Sequence, residues 1–132
     1  MTSSPLHTIS RNAAHLLKRR GYHVAWSISL REWYSPETFV CKRGAGDTLH
    51  VKLKLSPNTL TSAAEIARFC DDEIRTLRRQ MRNNPKKTVE HYEVWVAMPL
   101  GKFSALEVLP DMLIDRRSGA LLSQQPAGGV AA

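Results

Sequence analysis

The chain has 132 residues, of which 42% are hydrophobic, so it can form a single domain around one sizeable core, and a disordered chain is excluded. Lys and Arg number 19 against 12 Asp and Glu, a formal net charge of +7, which favours an anionic partner and above all nucleic acid. Cys41 and Cys70 fall inside a predicted strand and a predicted helix, so we expect buried thiols instead of a disulfide or a metal knuckle.

We expect no segment that directs the protein to a membrane. No run approaches the ~20 consecutive apolar residues of a membrane-spanning helix, and residues 1–8 lack the apolar core of a signal peptide. We therefore expect a cytoplasmic protein with no membrane partner. We further expect residues 1–8 to be a flexible terminus, 9–115 a single domain, and 116–132 a loose tail rich in small and polar residues.

The first half of the domain predicts a helix followed by three strands. Thr8 is placed to cap a helix over residues 9–20, which Gly21 ends. Apolar and polar residues then alternate, which predicts strands over 22–30, 38–42 and 48–55. The glycine-rich segment 43–47 joins the second and third strands, so these two are expected to form a hairpin.

The third strand has the most regular alternation in the sequence. Aliphatic residues occupy every second position and alternate with Thr48, His50, Lys52 and Lys54. Side chains two positions apart leave a strand on the same face, so one face is aliphatic and the other is cationic. We expect the following helix to cover the aliphatic face, with Lys52 and Lys54 side by side on the opposite face, away from that helix.

The second half of the domain predicts a long helix and two more strands. From Ala63 to Met81, apolar residues recur mostly at intervals of three and four, which is typical of an amphipathic helix ending near Pro85. Strands are predicted over 91–98 and 103–109, joined by a turn. The order helix, three strands, helix, two strands predicts an α/β fold with one central mixed sheet.

Basic side chains are the candidate contacts to an anion. Lys52 and Lys54 repel each other, and an anion between them would relieve that repulsion; a solvated sheet face is the alternative. On the long helix, Arg75 can pair with Asp71, whereas three other arginines have no acid three or four positions away. Trp33 is a candidate to stack on unpaired bases. The candidate nucleic-acid contacts are His50, Lys52, Lys54, Lys42, Arg43, Arg78, Arg79, Arg82 and Trp33.

From Ile9 to about Leu109 the order of elements resembles the PD-(D/E)xK nuclease family, which includes Holliday-junction resolvases and many restriction endonucleases. In that family an acid on the second strand and an acid-x-lysine pair on the third strand hold magnesium beside the scissile phosphate. Lys54 matches the family lysine, and Glu37 lies nearest the position of the first acid. Lys52 stands where the family has its metal-binding acid.

The resemblance implies a restriction-endonuclease-like domain that binds nucleic acid, with DNA favoured over RNA, and does not cut it. Glu37, or Asp47 as a second possibility, leaves a single carboxylate, which makes a poor magnesium site, so we expect no metal site and no cofactor. The resemblance also implies that the protein could form a homodimer, because nuclease-like domains that act on duplexes often pair. If the protein were active, Glu37 and Lys54 would be its catalytic residues and magnesium its cofactor.

Three other functions remain open at this point. The protein could be an active metal-dependent DNA endonuclease that completes its site with another acid, such as Glu93. It could be a double-stranded RNA-binding module, which shares the first five elements but carries a lysine-rich start to its second helix, and residues 59–64 contain no basic residue. It could also be a subunit whose positive charge meets an acidic protein.

Overall fold

The computed structural model describes residues 5–28, 37–44, 46–83, 89–116 and 121–123, with the backbone alone described at 5–8, 26–28, 37 and 121–123. The described residues form three helices and seven strands. In chain order these are α1 (Pro5–Arg19), β1 (His23–Ile28), β2 (Glu37–Lys42), β3 (Asp47–Leu55), α2 (Ala63–Phe69), α3 (Asp71–Asn83), β4 (Val89–Met98), β5 (Lys102–Val108), β6 (Met112–Asp115) and β7 (Leu121–Ser123), with a 3₁₀ turn over Pro99–Gly101 between β4 and β5.

All seven strands belong to one mixed sheet, in the order β1-β2-β3-β4-β5-β6-β7. β3 and β4 are parallel, and the other neighbouring pairs are antiparallel. Antiparallel neighbours need only short turns, whereas a parallel pair needs a crossover, and α2 and α3 provide it. The predicted α/β class and the single mixed sheet are confirmed, as are the β2–β3 hairpin and the turn between β4 and β5.

The predicted long helix is instead two helices that meet at Cys70. The backbone of Cys70 has φ −101° and ψ 18°, and the carbonyl of Phe69, the last residue of α2, accepts a hydrogen bond from Lys54 at 2.8 Å. The apolar stripe continues through the break, because Ile66, Cys70 and Ile74 are all buried in one cluster. The apolar spacing therefore predicted one continuous helix. The structure has a break in the helix at Cys70, next to the hydrogen bond between Lys54 and Phe69.

Both ends of the predicted domain also differ from the expectation. α1 begins at Pro5, so Thr8 lies inside the helix and does not cap it. Proline suits this first helical position, since its missing N–H would have no partner there. At the other end, β6 and β7 extend the sheet, and neither strand was predicted because each is only three or four residues long.

Helices cover the sheet on both faces, with α1 on one and α2 and α3 on the other. Leu49, Val51, Leu53 and Leu55 of β3 share a core cluster with Leu17 and Ala13 of α1. Helices α2 and α3 pack with apolar residues of β4, β5 and β6. The expectation that the helix after β3 covers its aliphatic face is therefore wrong. The crossover packs instead on β4, whose run from Val94 to Met98 is buried on both faces.

Candidate nucleic-acid-binding face

Lys42 of β2 and His50, Lys52 and Lys54 of β3 lie on one face of the sheet, which we call the lysine face. In the β2–β3 register, Lys52 pairs with Thr38 and Lys42 pairs with Thr48. Paired residues of antiparallel strands point to the same side of a sheet, so the two strands contribute to one continuous surface. The predicted sharing of a face by His50, Lys52 and Lys54 is confirmed.

Lys52 is a half-buried cation with a neutral partner. Its Nζ donates a hydrogen bond to Thr38 Oγ1 at 2.9 Å. Within the described part of the chain, no carboxylate oxygen lies within 4.0 Å of this ammonium. Burial lowers the pKa of Lys52, and the charge of Glu73 partly opposes that change. An anion bound here would stabilise a charge that the described residues leave without a directly paired carboxylate.

Lys42 repeats this arrangement at the other end of the hairpin. Its Nζ donates to Thr48 Oγ1 at 2.8 Å, and the side chain is exposed. Thr48 is the residue opposite Lys42 in the ladder, as Thr38 is opposite Lys52. The lysine face thus carries two cross-strand lysine–threonine pairs, with His50 between them on β3.

Lys54 has a different environment, because it packs against the helices that follow β3. Its Nζ donates to Phe69 O at 2.8 Å, lies 3.3 Å from Glu73 Oε1 and sits 4.5 Å from the centre of the Phe69 ring. The expectation that both lysines point away from the following helix is wrong for Lys54. Its long stem reaches the carbonyl at the end of α2, where a cation also meets the negative end of the helix dipole.

His50 joins the lysine face to a cavity at the start of β4. The His50 ring stacks on Tyr92 at 4.8 Å, and its Nε2 lies 3.2 Å from Glu90 Oε1. Tyr92 Oη donates to Glu90 Oε2 at 3.1 Å, and burial is the main cause that raises the pKa of Tyr92 to about 12. Glu90 and Tyr92 also line a cavity of about 550 Å³, which Arg78 and Arg82 line as well.

The three predicted arginines of α3 have unequal surroundings. Arg78 holds α3 to the β5–β6 turn, since its Nε donates to Leu109 O at 2.9 Å and its Nη2 to Met112 O at 3.2 Å. Burial lowers the pKa of Arg78. Arg79 and Arg82 are exposed, and Arg82 lies at the cavity next to the partners of His50.

Arg43 is directed away from the lysine face. Its Nε donates to Asp47 Oδ2 at 2.9 Å and its Nη1 to Arg20 O at 3.1 Å. The guanidinium carbon lies 4.5 Å from the centre of the Tyr22 ring, and Tyr22 belongs to the core cluster on the α1 side. Arg43 therefore pairs with Asp47, which was the second candidate for the first acid of the family pattern.

Glu93 does not reach Lys54, because it lies on the opposite face of the sheet. Lys52 is in register with Val94, which packs with α2 and α3, so the preceding residue of β4 points to the α1 side. Glu93 is buried there and accepts two hydrogen bonds from Arg20, at 2.9 and 2.7 Å, and one from Trp95 Nε1 at 2.9 Å. In the alternative of an active endonuclease, Glu93 was an example of an acid that could complete the site, and its place on the opposite face separates it from Lys54.

Two contacts at these sites were not predicted. A charged residue within the apolar run of β4 needs a buried partner, and this pattern could have identified Glu93. It could not have identified the partner, Arg20, which is 73 positions away in sequence. Glu73 is one of three acidic residues in the first turn of α3, and this pattern does not indicate that Glu73 contacts Lys54. The backbone of Glu37 pairs with Leu53, while the side chain of Glu37 and the whole of Trp33 lie outside the described residues.

Comparison with models of known protein families gave no match, and comparison with curated proteins gave no significant match. Among the described residues, no three His, Cys, Asp or Glu side chains are grouped so that they could hold a metal ion. Within the same residues, no helix is long and apolar enough to cross a membrane.

Proposed function

We propose that this protein is a restriction-endonuclease-like domain that binds nucleic acid, with DNA as the preferred form, and does not cleave it. The observation that carries the proposal is the environment of Lys52, a half-buried ammonium whose hydrogen-bond partner is the hydroxyl of Thr38. The net charge of +7 supports the same class of partner.

Phosphate is the anion that the lysine face suits best. Lys42 and Lys52 are point charges held in place by threonines, and lysine contacts of this kind position a nucleic-acid backbone without reading its bases. Arg82 and Arg79 add exposed guanidinium groups on α3. Binding is therefore expected to depend weakly on base sequence and strongly on salt.

Binding without cleavage is supported by the sign of the charge at Lys52. A magnesium site relies on carboxylate oxygens, and an ammonium supplies no ligand and repels the ion. Lys52 and Lys54 occupy the same face two residues apart on β3. The order of elements supports the nuclease-like relationship, in which Lys52 stands at the position of the metal-binding acid.

A binding titration with a labelled DNA duplex, a DNA single strand and an RNA duplex tests this proposal. We expect the tightest binding to the DNA duplex and a loss of affinity in Lys52→Gln. Lys18→Gln is the matched control, because it removes the same charge from an exposed position on α1. Equal effects of the two substitutions, or no binding to any of the three, would contradict the proposal.

A cleavage assay with the same duplex tests the second part. With magnesium or manganese present, we expect no cut product from the purified wild-type protein. Metal-dependent nicking that co-purifies with the protein and disappears in Glu37→Ala would show that the site is catalytic. The variant Lys52→Glu restores an acid-x-lysine pattern before Lys54, so it tests whether the charge at this position decides metal binding.

A further inference from the structure

Two carboxylates border the lysine face, and one of them lies at the end where Lys54 meets α2 and α3. Glu90 contacts His50 at one end. At the other end, Glu73 Oε1 lies 3.3 Å from Lys54 Nζ, and its side chain is 11% exposed. The charge of Glu73 also acts on Lys52. Glu73 thus occupies a position from which its negative charge reaches both lysines.

Glu73 is one of several groups that hold Lys54 in place. Lys54 also donates to Phe69 O at 2.8 Å and lies over the Phe69 ring. A neutral amide at position 73 would still accept a hydrogen bond from Lys54 through its oxygen. The contact between Lys54 and residue 73 therefore does not require a negative charge. The charge of Glu73 can be removed without removing this hydrogen bond.

We propose that Glu73 is an internal counter-ion of the nucleic-acid site, which competes with phosphate for the Lys52–Lys54 end of the lysine face. This inference rests on the proposed function. In the unbound protein, the carboxylate partly neutralises the two ammonium groups. When a phosphate approaches Lys52, it meets the repulsion of Glu73, so the affinity is lower than the lysines alone would give.

The position of Glu73 on its helix keeps this charge close to the site. Glu73 lies in the first turn of α3 together with Asp71 and Asp72. The amino terminus of a helix favours negative side chains, so the first turn of α3 is a suitable place for a carboxylate. The fold itself therefore holds this carboxylate beside Lys54.

The test compares Glu73→Gln with Asp72→Asn in the duplex titration. Both variants remove one negative charge from the first turn of α3, but the Asp72 side chain is 85% exposed and contacts Arg75, not the lysine face. We expect Glu73→Gln to bind the duplex about three- to tenfold more tightly than wild type, and Asp72→Asn to change the affinity by less than about twofold.

A double variant shows whether the gain acts through Lys52. If it does, Glu73→Gln should increase the affinity of the Lys52→Gln protein much less than that of wild type. Thermal unfolding of each variant, and its circular dichroism spectrum, show whether it is folded, and Glu73→Ala provides a second neutral substitution at the same position.

The outcomes separate this inference from the proposed function. If the wild-type protein binds the duplex and Lys52→Gln weakens it, but Glu73→Gln and Asp72→Asn behave alike, the counter-ion inference is wrong and the proposed function stands. A gain that persists unchanged in the Lys52→Gln background would also overturn it. If no variant binds nucleic acid, both are wrong.

Discussion

At the scale of single residues, Lys52 and Lys54 show how two identical side chains on one strand take different roles. Lys54 is tied to Phe69 and Glu73, whereas Lys52 is half-buried beside a hydroxyl. We therefore expect Lys54→Met to lower the free energy of unfolding by about 1–3 kcal/mol, since it leaves a carbonyl and a carboxylate without their donor. Lys52→Met should leave it within about 0.5 kcal/mol of wild type, or raise it. Urea denaturation measures both, and equal losses would show that the two roles were misassigned.

The lowered pKa of Lys52 affects how the stability of the protein depends on pH. Burial lowers the pKa of Lys52 below its ordinary value of 10.5, so in the window between the lowered pKa and 10.5 the unfolded chain binds a proton that the folded protein does not. Stability therefore rises with pH through this window, and the cost of the buried charge is fully present below it. We expect the difference in free energy of unfolding between wild type and Lys52→Met to shift in favour of wild type as the pH is raised toward 10.5.

On the α1 side, the pair between Arg20 and Glu93 has the character of a buried ion pair. The side chain of Glu93 is 2% exposed, and that of Arg20 is 28% exposed. Arg20→Met should lower the free energy of unfolding by about 3 kcal/mol, because among the described residues it leaves the buried carboxylate with Arg116, at 4.0 Å, as its cation. Arg19→Met is the control on the same helix, and because Arg19 is exposed its effect should be below about 1 kcal/mol. Similar losses in chemical denaturation would argue against the pair.

At the scale of elements, Arg78 connects the crossover helices to the end of the sheet. Its guanidinium donates hydrogen bonds to two carbonyls on either side of the β5–β6 turn, Leu109 O and Met112 O. Arg78→Met should cost about 1.5–3 kcal/mol of stability, whereas exposed Arg79→Met should stay within about 0.5 kcal/mol. Both can be measured by thermal and urea unfolding, and a neutral Arg78→Met would mean that these bonds contribute little.

At the scale of the whole molecule, the proposed function predicts a steep dependence of binding on salt. The logarithm of the duplex affinity should fall linearly with the logarithm of salt concentration, with a slope of about 0.9 per phosphate neutralised. Lys52→Gln and Lys42→Gln should each reduce the slope by about 0.9, because each removes one ammonium from the lysine face. An affinity that does not change between low and high salt would exclude the phosphate contacts.

The sequence by itself determined α1, the first five strands and the distribution of charge along them, but not the break between α2 and α3 or the short strands β6 and β7. Alternation over β3 placed His50, Lys52 and Lys54 on one face, because the geometry of a strand is local and repeats every two residues. The order of strands and helices was enough to predict a mixed sheet, since the crossover between β3 and β4 makes that pair parallel.

Only the tertiary structure decided which surface each element meets. Alternation shows that a strand has two unlike faces but not which helix covers each, so α1 and not α2 covers the aliphatic face of β3. Contacts between distant residues were likewise beyond local pattern, because Lys54 meets Phe69 and Glu73, and Arg20 meets Glu93, through the packing of the sheet. These contacts depend on how close the fold brings the side chains, and spacing along the sequence does not encode that distance.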